Sequence, residues 1–88
     1  MPLNQQRLET IKQRLTTALN PQHLVVTDDS HRHVGHPGAK DGRGHFTVEI
    51  SAMAFQNKSS MQCHRMIYDA LGDLMKTDIH ALRIKIIN

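Results

Sequence analysis

Seven of the 88 residues are histidines, and three of them, His31, His33 and His36, fall in one polar run, Asp28-Asp29-Ser30-His31-Arg32-His33-Val34-Gly35-His36. Imidazole is a borderline-soft ligand suited to zinc, copper or iron, and it takes up a proton near neutral pH. A glycine-rich loop lets such side chains reorient toward a metal. A closed tetrahedral site needs four protein ligands, however, and no cysteine accompanies this cluster. Two readings fit the run: a solvated polar loop that is rich in histidine by chance, or an incomplete metal site finished by the ligands of another protein. A further histidine, His80, opens an alternating segment near the C-terminus on its apolar side, where a half-buried structural histidine is the ordinary explanation. If the start of that segment lies near the His-rich loop, His33 and His80 meet in space and share a site.

The remaining chemistry is thinner. Cys63 is the sole cysteine. It sits in the first turns of a helix, whose dipole favours thiolate, but also at the edge of the apolar stripe, which reads as a packed, inert thiol. Gly35-His36-Pro37-Gly38 matches the bare GxxG pattern of KH nucleic-acid clamps. It lies between two strands, whereas a KH clamp joins two helices, so the match carries no weight. Arg83 and Lys85 on the outer face of the last strand, with Arg32, Lys40 and Arg43 in the loop, make a candidate basic patch for nucleic acid. No aromatic residues interleave with them to stack bases, and a charged edge that keeps the strand soluble explains them more simply. A nucleophile elbow, a Walker loop, a His-Glu-x-x-His motif and a convincing carboxylate pair are all missing, so an enzyme is not expected.

The elements that must position these residues are legible from periodicity. Residues 4–19 carry Leu8, Ile11, Leu15, Ala18 and Leu19 at helical spacing, with Arg7, Glu9, Lys12 and Arg14 assigned to a solvated face. Asn20-Pro21 ends that helix, because the residue before proline is pushed out of the α region. Residues 23–28, His-Leu-Val-Val-Thr-Asp, read as a strand, and residues 29–44, with four of the five glycines, as a loop. Long ordered loops are more often functional than decorative. In residues 45–51, Phe46, Val48 and Ile50 alternate with His45, Thr47 and Glu49, the pattern of a half-buried strand. Ser59 and Gln62 fit a capping box for a second helix, whose inward stripe is His64, Ile67, Tyr68, Leu71, Leu74 and Met75. In the last segment, His80 to Ile87, His80, Leu82, Ile84 and Ile86 share a face, and Arg83 and Lys85 point away. The order is α-β-β-α-β.

Bulk properties bound the rest. Residues 1–88 are expected to form one domain, near the lower size limit for folding without disulfides or metal and too small for a core plus a roomy walled cleft. The composition is 39% hydrophobic, without tryptophan, so the core is aliphatic. A net charge of +3 is mildly basic and suits weak contact with acidic partners. One cysteine excludes an intramolecular disulfide and points to a reducing compartment. The N-terminal residues lack the apolar core of a secretory signal, and no apolar run approaches the ~20 residues of a membrane span. The expectation is a soluble, cytoplasmic protein with no membrane association.

Three passages together resemble the BolA-like family: Asp28-Asp29-Ser30-His31-Arg32-His33; His45-Phe46-Thr47-Val48-Glu49-Ile50-Ser51; and His64-Arg65-Met66-Ile67-Tyr68 followed by Ile79-His80-Ala81-Leu82. The resemblance covers nearly the whole chain. It implies an α/β (α+β) fold in which two main helices pack on a three-stranded mixed sheet, similar to the second type of KH domain. It also implies a non-catalytic adaptor that partners a monothiol glutaredoxin. In complexes of this family a [2Fe–2S] cluster is held by the glutaredoxin thiolate, a glutathione thiolate and two side chains of the BolA-like protein. The family's C-terminal ligand corresponds to His80, and its loop ligand, a histidine or a cysteine by subtype, corresponds best to His33, the His-loop type. The loop from His33 to His45 is longer than in the best-known members, which makes His36 the alternative ligand and His31 a third choice. Histidine in place of thiolate makes the cluster less negative and lets protons compete for the ligand, which suits iron–sulfur trafficking or iron sensing better than storage. The isolated protein is expected to hold no cofactor and to be a monomer or weak dimer. Some bacterial members are DNA-binding regulators of stress response and morphology, which makes DNA binding the alternative function.

Overall fold

The computed structural model describes residues 3–29 and 44–87. Among them the chain runs α1 (Leu3–Leu19), β1 (His23–Asp28), β2 (Gly44–Ser51), a 3-10 turn (Met53–Phe55), α2 (Ser60–Leu71), α3 (Leu74–Thr77) and β3 (Ile79–Ile86). The expected α+β arrangement, with helices on a three-stranded mixed sheet, is present. The 3-10 turn and α3 are additions, each too short to show a helical repeat in the sequence.

In α1, aliphatic residues at a spacing of four bury a ridge of Ile11, Leu15 and Leu19. That ridge continues one turn back to Arg7, which is only 9% exposed and not on the solvated face where charge alone places it. The arginine stem follows the apolar ridge while its head finds an anion, as long amphipathic side chains do. Ala18, expected inward, is exposed. Asn20 ends the helix in the left-handed region (φ 46°), and its N–H donates to the Thr16 carbonyl at 3.0 Å.

The sheet has the order β1-β2-β3, with β1 antiparallel and β3 parallel to the central β2. Leu24 and Val26 pair with Ile50 and Val48, which pair in turn with Ile86 and Ile84. Being central, β2 buries three side chains, Phe46, Val48 and Ile50, almost completely. His23, Val25, Thr27, Thr47, Glu49, Arg83 and Lys85 occupy the face away from the helices, exposed or half-buried.

The α2 capping box forms as expected: the Ser59 hydroxyl accepts from the Gln62 N–H, and the Gln62 side chain accepts from the Ser59 N–H. The inward ridge differs. It is Cys63, Ile67 and Leu71, at a strict spacing of four, with His64 half-buried at its edge and Tyr68 41% exposed. The helix stops at Leu71 because Gly72 turns left-handed (φ 53°), and the Arg14 guanidinium donates to the Leu71 carbonyl at 3.4 Å. Leu74 and Met75 therefore belong to α3 and are half-buried there.

The start of β3 also departs from simple alternation. Gly44 pairs with Ile79 but the next residue, His45, pairs with Ala81, so β3 carries one extra residue opposite β2 at this point. The extra residue is His80. A bulge of this kind reverses which face the preceding side chains take. Ile79 is therefore the buried one, at 1% exposure, and His80 is exposed. The expectation that His80 shares the apolar side with Leu82, Ile84 and Ile86 is corrected by this shift.

Candidate functional site

His80 is held in place by what precedes it. The Asp78 carbonyl accepts from the Gly44 N–H at 2.9 Å, and the Asp78 N–H closes α3 by donating to the Leu74 carbonyl at 2.9 Å. The Asp78 carboxylate accepts from Arg7 Nε at 3.1 Å, and Arg7 Nη1 also donates to Asn4 Oδ1 at 3.0 Å. The Thr77 hydroxyl donates to the other Asp78 oxygen. That hydroxyl is the largest cause holding the Asp78 carboxyl below its ordinary value; burial opposes it, and Arg7 adds to the lowering by hydrogen bond and by charge. The backbone just before the bulge is thus fixed from α1, α3 and β2 together.

At the bulge the His80 ring meets His45, with ring centroids 5.0 Å apart and planes inclined by 52°. The two differ in access: His45 is 7% exposed, whereas His80 faces solvent. Sequence alternation put His45 on the outer face of β2 and gave no sign that it is buried or that it touches His80. Beside the pair, Asp29, His45, Phe46, Thr47, Ala81, Leu82 and Arg83 line an open cleft of about 230 Å³. Within it Asp29 accepts from the Thr47 hydroxyl. A larger cleft, about 430 Å³, lies at the other end of β2 against Gln22, Ser51, Met53 and Asn57.

The site residues read from the sequence are divided by this geometry. His80 is presented at the end of the sheet where Gly44 begins β2, so the start of β3 does lie beside the point to which the loop between β1 and β2 returns. His31, His33 and His36, and with them Arg32, Lys40, Arg43 and the Gly35–Gly38 pattern, lie outside the described residues. Among the described residues no group of three or more His, Cys, Asp or Glu side chains is placed to hold a metal ion. Cys63 is buried within the core, its Sγ 3.9 Å from the Phe55 carbonyl, the packed thiol of the sequence reading. Arg83 and Lys85 are exposed on the open face of the sheet, with Lys85 Nζ 4.0 Å from Glu49 Oε1.

An exposed imidazole on a bulge, backed by a buried one, can donate a lone pair to a metal that other ligands complete, since two nitrogens do not close a coordination sphere. No described helix is long and apolar enough to cross a membrane.

Known proteins resemble this chain in sequence and in fold. The family description "BolA-like protein" matches residues 15–88. The SufE-like protein 1, chloroplastic/mitochondrial, of Arabidopsis thaliana is 42% identical over 79 residues, which are 84% of this chain and 21% of that protein. The DNA-binding transcriptional regulator BolA of Escherichia coli is 34% identical over 76 residues, 86% of this chain and 70% of that one. Among solved structures, the BolA domain of SufE1 from Arabidopsis thaliana superposes with a TM-score of 0.79 at 40% identity, covering 91% of this chain and 88% of that chain. A family match over most of the chain, agreeing in both sequence and fold, makes this protein a member of the BolA-like family.

Proposed function

We propose that the protein is a cytoplasmic, non-catalytic adaptor that binds a monothiol glutaredoxin and supplies two imidazoles to a labile [2Fe–2S] cluster. The glutaredoxin thiolate and a glutathione thiolate supply the other two ligands. The observation that carries this reading is the β3 bulge, which turns His80 out of the sheet at the end where residues 30–43, bearing His33 and His36, leave β1 and return to β2. His80 is the strand ligand in this reading, and His33, or His36 in its place, is the loop ligand. The donor set suits a shared centre better than a resident one, because at this end of the sheet the described residues present one exposed imidazole, His80, and no complete cluster of ligands. When bound, the cluster supplies one-electron and iron–sulfur transfer chemistry, and the histidines set how easily it leaves.

The test is anaerobic co-purification with a monothiol glutaredoxin and glutathione, followed by visible spectroscopy. A cluster spectrum that differs from that of the glutaredoxin alone supports the reading, and an unchanged spectrum with no complex overturns it. The name of the Escherichia coli relative supports a second reading, a DNA-binding regulator that uses the exposed Arg83 and Lys85.

A further inference from the structure

The sheet ends in an edge strand. β3 has β2 on one side and no described strand on the other. The Ile87 N–H donates to the Ile50 carbonyl at 3.0 Å. Because N–H and C=O alternate sides along a strand, Leu82, Ile84 and Ile86 turn their backbone groups to the free side. Their side chains face the helices but are only half-buried, unlike Val48 and Ile50 beside them in β2. On the open face the same strand carries two cations. Arg83 has no ion-pair or hydrogen-bond partner among the described residues, and Lys85 only grazes Glu49 at 4.0 Å.

An unpaired edge is a template for another strand unless charge forbids it. Pairing of β3 with its own copy is forbidden in this way. An antiparallel pair centred on Ile84 sets Arg83 of each copy opposite Lys85 of the other, and like charges directly opposed destabilise a sheet. Reversing one partner's charge removes the penalty and turns it into attraction. The other edge strand, β1, offers no such pattern: its open face carries His23, Val25 and Thr27, and His23 is already held by Glu49 at 2.8 Å.

We propose that the free edge of β3 docks an extended protein segment that alternates acidic and aliphatic side chains. The segment adds to the sheet as a fourth strand, its carboxylates over Arg83 and Lys85 and its aliphatic groups beside Leu82, Ile84 and Ile86. Backbone bonds supply affinity in such strand addition, and the alternating side chains supply specificity. This surface does not depend on whether a cluster forms at His80.

The experiment titrates the isotope-labelled protein with a blocked seven-residue peptide alternating valine and glutamate, monitored by amide chemical shift and hydrogen exchange. The Leu82, Ile84 and Ile86 amides should shift and gain exchange protection. A peptide N-methylated at the strand-bonding positions should bind at least about tenfold more weakly to the same wild-type protein. The R83E/K85E double variant should prefer a valine–lysine peptide instead. Equal binding of the N-methylated peptide, shifts confined to the helices, or no shift at millimolar peptide would overturn the proposal. So would self-association through the same amides, or a DNA duplex that moves them at lower concentration than the acidic peptide.

Discussion

The Arg7 guanidinium donates to the Asp78 carboxylate at 3.1 Å, across 71 positions of sequence, and so ties the second turn of α1 to the residue before the β3 bulge. The contact joins the first helix to the residue that caps α3 and leads into the last strand, two positions before His80. Its consequences reach from stability to the presentation of the candidate ligand.

Removing the cation should therefore be felt twice. Arg7→Ala strips the Asp78 carboxylate of its cation, leaving it the Thr77 hydroxyl, and opens space in a buried ridge, at a cost of about 1–3 kcal/mol. Urea unfolding measures the loss, and hydrogen exchange should show the Ile79 and His80 amides less protected. Arg7→Met keeps the stem in the ridge and should recover part of the stability but not the amide protection.

Asp78 should contribute to acid sensitivity. Its folded-state value lies below the ordinary 3.8, mainly through the Thr77 hydroxyl and with help from Arg7. A depressed carboxyl stabilises the fold above its unfolded value, and the contribution is lost as pH falls through the folded value. Asp78→Asn should accordingly be less stable than wild type at neutral pH, with the difference shrinking below about pH 3.8. Thermal unfolding of both proteins across that range measures it; a constant gap would contradict the assignment.

Gly44 is required by space. A Cβ there would lie 2.5 and 2.7 Å from ring carbons of Phe46 and 3.2 Å from Asn4 Oδ1. The Phe46 ring is buried and has little room to retreat. Gly44→Ala should cost about 1–3 kcal/mol, the range for overpacking a filled core, as read from denaturant midpoints.

For the shared cluster, the anchored ligand should matter more than the loop ligands. His80→Ala should abolish or alter the visible spectrum of the mixed complex with glutaredoxin while leaving part of the association intact. His33→Ala should act similarly but more mildly, and His36→Ala least, because neighbouring imidazoles on a glycine-rich segment can stand in for one another. Cys63→Ser should leave the spectrum unchanged, since the thiol is packed in the core. Loss of the cluster in Cys63→Ser with His80→Ala unaffected would place the site elsewhere.

DNA binding, where present, should be weak and electrostatic. A logarithmic plot of affinity against salt should fall steeply, and Arg83→Ala or Lys85→Ala should each flatten it by about one unit. Tight, sequence-selective binding at physiological salt would favour the regulator reading.

Much of the architecture was local information. The apolar spacing of Ile11, Leu15 and Leu19, the alternation of Phe46, Val48 and Ile50, the Asn20-Pro21 stop and the Ser59–Gln62 box each announce an element through its own neighbours, and each is found where it was read. Three features of the site were not legible in this way. Arg7 reads as a solvated charge until Asp78 arrives from the far end of the chain. His45 reads as an outward residue of a half-buried strand, yet it is buried against His80. His80 itself reads as inward, because alternation was extended back from Leu82 through a bulge that no periodicity records.

By itself, then, the sequence determined the two main helices and the three strands, where α1 stops and α2 begins, and which family they belong to, since those depend on side-chain period, capping and short motifs. The stop of α2 at Gly72 and the short α3 were not among them. Which of Ile79 and His80 faces the core was decided only by pairing β3 with β2, where one step on β2 spans two on β3. Register between strands that lie 27 residues or more apart is a property of the assembled sheet, and a shift of one residue exchanges the buried and the exposed side chain. That exchange is what brings the His80 imidazole to the surface.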